Sequence, residues 1–261
     1  MTSIRALSFS SGSSGNCFYV ENSNLKESIL IDAGLSSKKL FEEISEFSIK
    51  IENIKAIFLT HEHSDHIKGA KNLSKKYNIP IFATKKLIDS YFNLEKKKIN
   101  LNQIKERETI NIAGMQIESF PKSHSAIEPV SFNIYYKRKI SILTDLGFIC
   151  NNAKKAIKDS DLIFLESNHD EKMLLEGSYP AYLKRWIKSE KGHLSNKQAA
   201  LGVLEFASSN LKNIVLCHLS KNNNTPEKAL QTMNTLLKER KDLTPSVSVA
   251  PRYEPTKIFE V

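Results

Sequence analysis

Short apolar runs broken by glycine, serine and asparagine open the chain. Residues 4–10, 17–21 and 28–32 read as strands, divided by the turn Ser11-Gly12-Ser13-Ser14-Gly15-Asn16 and by residues 22–26. The period then changes. Leu40, Phe41, Ile44 and Phe47 recur at helical spacing, which predicts a helix over about residues 36–47. A short apolar strand follows at 56–60, a second helix at about 66–77 and another strand at 80–83. Residues 109–120 read as a hairpin turning at Ala113-Gly114.

The scheme then repeats. Runs at 130–136 and 140–144 flank the basic turn Lys137-Arg138-Lys139, and 161–166 is a strand of the fully buried type. Ser195 is a good N-cap for a helix whose apolar face holds Ala199, Ala200, Val203, Leu204 and Ala207. Residues 214–217 form a strand, Thr225-Pro226-Glu227 starts the last long helix, and 246–250 closes as a strand. No low-complexity tract or Pro/Gly linker intervenes, so a single domain over residues 1–261 is expected, with two similar halves of about 1–125 and 126–261. Hairpins followed by helices, twice over, predict two sheets with helices outside.

Charge narrows the partners. There are 38 Lys and Arg against 29 Asp and Glu, a net charge of +9, which suits a polyanion such as nucleic acid. Cys17, Cys150 and Cys217 form no CxxC pair, so a reducing cytoplasm without disulfides is expected. The start, Met1-Thr2-Ser3-Ile4-Arg5-Ala6, lacks the apolar core of a signal peptide. No stretch approaches the roughly 18 apolar residues of a membrane span. Neither a membrane nor an obligate protein partner is therefore expected.

Seven histidines, His61, His63, His66, His124, His169, His193 and His218, fall mostly at strand exits or just before helices, where scaffolds place chemistry. The run His61-Glu62-His63-Ser64-Asp65-His66 packs three imidazoles and an aspartate into six residues. These are nitrogen and oxygen ligands suited to Zn, Mn, Fe or Co. His61 and His63 lie two apart and can chelate one ion from an extended loop. Asp65 and His66 start the next helix and point elsewhere, so one ion cannot easily use all four, whereas two can. His124, Asp145 and His218, each at a strand end, are candidates to complete such a pair.

This pattern resembles the metallo-β-lactamase superfamily. His61-x-His63-x-Asp65-His66 looks like its signature, Asp32 in Ile31-Asp32-Ala33-Gly34 matches its first aspartate, and His124, Asp145 and His218 match its later ligands. Asp145 stands where true β-lactamases commonly carry cysteine. The Ser11–Asn16 turn, Glu166-Ser167-Asn168-His169-Asp170, Gly192-His193-Leu194-Ser195-Asn196 and Cys217-His218-Leu219-Ser220 resemble, more narrowly, the YycJ/VicX (WalJ) branch. The resemblance implies an α+β fold, the four-layer αββα sandwich. It also implies two divalent metal ions (Zn or Mn, with Fe admissible) and 5′-to-3′ exonuclease activity on double-stranded DNA. On that basis His61, His63 and His124 bind one ion, Asp65, His66 and His218 the other, and Asp145 bridges them, with a metal-bound hydroxide attacking phosphorus. Asp65 orients the nucleophile. His193 donates a proton to the leaving oxygen, with Glu166 orienting it. Asp32 holds the ligand loop, and Glu62 points away.

Substrate contacts are expected from Asn168, His169, Ser14, Asn16, Lys184 and Arg185. Trp186, within Lys184-Arg185-Trp186-Ile187-Lys188, is expected in the core of an amphipathic helix. Competing readings are a small-molecule phosphodiesterase or thioesterase-type hydrolase, an RNA-processing nuclease, and a binding protein without turnover. The intact ligand set argues against the last.

Overall fold

The computed structural model describes residues 3–93 and 99–261. Met1 and Thr2, which open the run read as lacking a signal peptide, lie outside the described residues. The chain forms two compact units. The first comprises Met1–Pro121, Ala126–Lys137 and Pro251–Val261, and the second Lys122–Ser125 and Arg138–Ala250.

In the first unit the strands are β1 (Ile4–Ser10), β2 (Cys17–Asn22), β3 (Glu27–Ile31), β4 (Ile54–Phe58), β5 (Ile81–Thr84), β6 (Leu101–Ile104), β7 (Thr109–Ile112), β8 (Met115–Pro121) and β9 (Val130–Tyr136). The last strand of the chain, β14 (Phe259–Glu260), joins the same unit. One sheet runs β14-β1-β2-β3-β4-β5-β6. It is antiparallel from β14 to β3 and parallel from β3 to β6. The Ser11–Asn16 turn makes the first hairpin. Strands β7, β8 and β9 form an antiparallel meander. Its first turn is at Ala113 and Gly114, both at positive φ (53° and 65°), the type that two-residue hairpins need.

Helix α1 (Ser37–Glu46) is capped by Ser36, whose side chain accepts from Lys39 N. Its Leu40 and Ile44, one turn apart, are buried in the core under the sheet with Leu7, Phe9, Ile57 and Leu73. The helix expected over about 66–77 is two helices, α2 (Ser64–Ile67) and α3 (Ala70–Tyr77), broken at Gly69. The cause is tertiary. Gly69 N donates to Ala33 O at 2.7 Å, and a Cβ on Gly69 would lie 2.4 Å from Leu35 O. A short helix, α4 (Lys85–Tyr91), follows β5.

The second unit alternates strands and helices: β10 (Arg138–Leu143), α5 (Asn151–Lys158), β11 (Leu162–Glu166), α6 (Glu171–Glu176), α7 (Ala181–Ile187), α8 (Asn196–Phe206), β12 (Asn213–Cys217), α9 (Pro226–Leu237) and β13 (Ser246–Val249). Its four strands are parallel in chain order. That explains why β11 reads as an unbroken apolar run, since parallel strands are covered on both faces. Ser195 caps α8 in a capping box with Gln198, and Thr225 caps α9 with Pro226 in its first turn. The basic turn narrows, because Arg138 and Lys139 belong to β10. Asp161 accepts there from Arg138 Nη1 (3.0 Å) and Lys139 N (2.9 Å). Trp186 differs from expectation: α7 buries Ile187, while Trp186 is 39% exposed. Among the described residues no helix is long and apolar enough to cross a membrane.

Candidate metal centre

In the first unit the ligand-type residues leave the carboxyl ends of adjacent parallel strands, β3 delivering Asp32 and β4 delivering Thr60 and His61. Such strand ends are the usual ligand edge of parallel sheets. Asp32 is fully buried at φ 60°, a conformation that costs a non-glycine residue energy and persists where surrounding contacts hold it. Its carboxylate accepts from Thr60 N (2.8 Å), Thr60 Oγ1 (2.8 Å) and His66 Nδ1 (2.6 Å).

Those bonds fix tautomers. Thr60 has one hydroxyl hydrogen, and it goes to Asp32, which can only accept. Thr60 Oγ1 must then accept from His61 Nδ1, 2.8 Å away. His61 and His66 therefore each carry hydrogen on Nδ1 and a lone pair on Nε2, the form of a metal-ligating histidine backed by an oxygen. His61 Nε2 and His63 Nδ1 lie 3.0 Å apart. Two nitrogens at ordinary bond lengths on one tetrahedral zinc would be roughly 3.3 Å apart. Asp65 Oδ2 is 3.6 Å from His66 Nε2. The donor set thus fits a divalent cation.

Asn16 departs from expectation. It is fully buried rather than facing substrate. Its side chain accepts from Gly12 N (2.8 Å), and its Nδ2 lies 3.3 Å from Asp65 Oδ2 and 3.1 Å from His66 Nε2. It braces the glycine turn against the ligand loop. Ser14 is exposed on that turn. Glu62 accepts from Ile127 N at 3.0 Å, turned to a different partner.

In the second unit Asp145, Glu166 and His218 lie at or just beyond the carboxyl ends of β10, β11 and β12. Asp145 (φ 55°) and His218 (φ 56°) repeat the left-handed conformation of Asp32. Glu166 is fully buried and accepts from His193 Nδ1 (2.8 Å), His218 Nδ1 (2.9 Å), Leu146 N (2.7 Å) and Leu194 N (3.1 Å). Burial pushes its carboxyl up, but His193 and the two imidazole hydrogen bonds outweigh that and hold it below the usual carboxylate range. One carboxylate therefore turns the Nε2 of both His193 and His218 away from itself. One oxygen or nitrogen each of Asp145, Glu166, His193 and His218 falls within a common 4.8 Å. His124 Nδ1 faces Gly192 O at 3.3 Å, and its Nε2 lies 3.9 Å from Asp145 Oδ1. Burial lowers its pKa to about 4, so it is the neutral, ligating form at neutral pH.

The remaining candidates divide. Asn168 is buried and donates to His218 O at 2.9 Å, so it holds a ligand's backbone rather than facing solvent. His169 is 2% exposed, and burial lowers it to about 4. Lys184 reaches Leu175 O at 2.7 Å, and Arg185 is exposed. Thr60 was missed by sequence reasoning. Its position directly before His61 was the only available signal.

A beta-lactamase superfamily domain model matches residues 27–218, spanning Asp32 to His218, and the chain belongs to that superfamily. The chain is 35% identical over 238 residues to Exodeoxyribonuclease YycJ of Bacillus anthracis, covering 88% of each. It is 39% identical over 228 residues to Exodeoxyribonuclease WalJ of Streptococcus pneumoniae serotype 2 (strain D39 / NCTC 7466), covering 85% of this chain and 84% of that one. Among solved structures, the metallo-beta-lactamase fold protein YhfI from Bacillus subtilis aligns over 100% of both chains with a TM-score of 0.77 at 14% identity. The α+β metallo-β-lactamase sandwich implied by the resemblance is thus the fold, and the chain is a hydrolase of that family.

Proposed function

We propose that the chain is a dinuclear metal-dependent phosphodiesterase, a 5′-to-3′ exonuclease on double-stranded DNA. The observation that carries this reading is the fixed tautomers. Asp32 and Thr60 orient His61 and His66, and Glu166 orients His218, each with Nε2 as the ligating nitrogen. The exodeoxyribonuclease names of the two relatives support the substrate. In this reading His61, His63 and His124 would hold one ion and Asp65, His66 and His218 the other, with Asp145 as the seventh ligand. Divalent ions supply Lewis acidity, which activates water and neutralises charge on phosphoryl oxygens.

The chain's own residues do the rest. Asp65 orients the attacking water. As the water oxygen bonds to phosphorus it gives up one proton to solvent, the P–O bond to the leaving sugar breaks, and His193, carrying hydrogen on both nitrogens, gives its Nε2 hydrogen to that leaving oxygen. Glu166 accepts from His193 Nδ1 and so aims Nε2 at the leaving oxygen. The net charge of +9 favours the polyanion over a small neutral ester.

The test is a panel of 5′-labelled duplex DNA, single-stranded DNA, RNA and bis-p-nitrophenyl phosphate with added Mn or Zn. Release of the labelled 5′-terminal nucleotide from duplex DNA is expected. Hydrolysis of the small ester alone would overturn the DNA reading, and preference for RNA would favour the RNA-processing alternative.

A further inference from the structure

The aromatic side chain beside His193 has no role in the chemistry above, and the expectation that it fills the core does not hold. Trp186 is 39% exposed on α7, and its ring centroid lies 5.6 Å from that of His193, the planes at 78°. Tyr182, one helical turn earlier, is 68% exposed. The same helix buries Ile187, while Tyr182 and Trp186, four apart, share its solvent face.

The backbone that carries the indole is held in place. Gly192 N donates to Ser189 O, His193 N to Ile187 O (both 2.9 Å), and Ser189 Oγ to Trp186 O at 2.8 Å. A Cβ on Gly192 would lie 2.4 Å from Trp186 O, so this turn must be glycine for the backbone of α7 to reach His193. Lys184, Arg185, Lys188 and Lys191 lie within five residues of Trp186 in the chain, with Glu190 as the one acid among residues 181–191, and Arg185 beside it is exposed. An exposed flat ring held next to a histidine, on a segment rich in lysine and arginine, suits a ligand with an aromatic plane and a negative backbone.

We propose that Trp186 stacks on the terminal nucleobase of the bound strand and so seats the scissile phosphate by His193. This rests on the nuclease reading above and adds a positioning residue to it. Flat stacking tolerates any base, which is what an exonuclease without sequence preference requires. Loss of one such stack weakens binding by roughly tenfold.

Trp186 is the single tryptophan of the chain, so its fluorescence reports this residue alone. The experiment titrates the purified protein with phosphorothioate duplexes ending 5′ in adenine or in an abasic residue, reading tryptophan quenching and, for variants, anisotropy of a distal dye. Saturable quenching by the adenine end is expected, with roughly tenfold weaker binding of the abasic end. Trp186→Phe should keep the preference for a base, and Trp186→Ala should lose it. Equal quenching by both ends, binding without quenching, or an unchanged preference in Trp186→Ala would overturn the proposal. Label release from ordinary duplex separates the two claims. A protein that degrades duplex but ignores the end base contradicts stacking alone. One that quenches with the base but releases nothing contradicts the nuclease reading alone.

Discussion

Replacing Glu166 by glutamine changes one atom and tests the tautomer argument. The buried carboxylate accepts four hydrogen bonds, two from imidazoles and two from backbone amides. An amide offers one oxygen and one NH2 group, so whichever way it turns, donors meet donors. If the NH2 faces the imidazoles, His193 and His218 must flip tautomer, and His218 then presents Nε2–H where a lone pair is needed to ligate. If it faces Leu146 N and Leu194 N, two buried amides lose their acceptor. A hydrogen bond to a charged group contributes about 1.5–3 kcal/mol, and stranding a buried donor costs about 1–3 kcal/mol. Two lost bonds, partly relaxed, give a loss of about 3–5 kcal/mol, and loss of a ligand's orienting partner weakens metal binding by about 10–100-fold. Urea unfolding with and without chelator, with metal content measured by mass spectrometry, reads both quantities. A Glu166→Gln protein within about 0.5 kcal/mol of wild type with full metal content would refute the reasoning.

Three further predictions follow from the same geometry. Asp65→Ala should lower duplex hydrolysis by at least about 10²-fold while circular dichroism stays native, because Asp65 is only partly buried and its loss removes chemistry rather than core. Gly34→Ala should destabilise the chain by about 2–4 kcal/mol in urea, since its Cβ would lie 1.7 Å from Asp65 O; a change under about 0.5 kcal/mol would contradict the packing. His169 is held neutral by burial, with a folded-state pKa of about 4 against about 6.5 unfolded. The unfolded chain binds more protons between those values, so stability falls as pH drops from about 6.5 toward 4, by up to about 3 kcal/mol from this group. His169→Asn should flatten that slope in metal-free protein, and an unchanged slope would contradict it.

Much of this architecture is legible in the chain because its signals are local. The short apolar runs of β1 to β3, the Ala113-Gly114 turn and the Ser195 cap each specify their own element. The His61–His66 run is legible because four ligand-type residues in six do not arise from packing. What stayed hidden depends on partners distant in sequence. The break at Gly69 comes from Ala33 and Leu35. Asn16 reads as an exposed polar residue in a Ser-Gly turn, yet Gly12, Asp65 and His66 supply the hydrogen bonds that let it be buried. Trp186 and Ile187 are adjacent apolar residues of one short helix. Periodicity cannot say which faces the core, because that depends on where the Ser189–His193 turn folds back. The shared use of Glu166 by His193 and His218 joins residues 27 and 52 positions apart, beyond any local pattern.

The central claim is that these clusters hold metal for the hydrolysis of DNA. Its most direct measurement is release of nucleotides from 5′-labelled duplex DNA by purified protein, stripped of metal by chelator and then resupplied with Mn or Zn. The account predicts no release after stripping, recovery on resupply, and no recovery in Asp65→Ala. Undiminished degradation by stripped protein, or by Asp65→Ala, would contradict it.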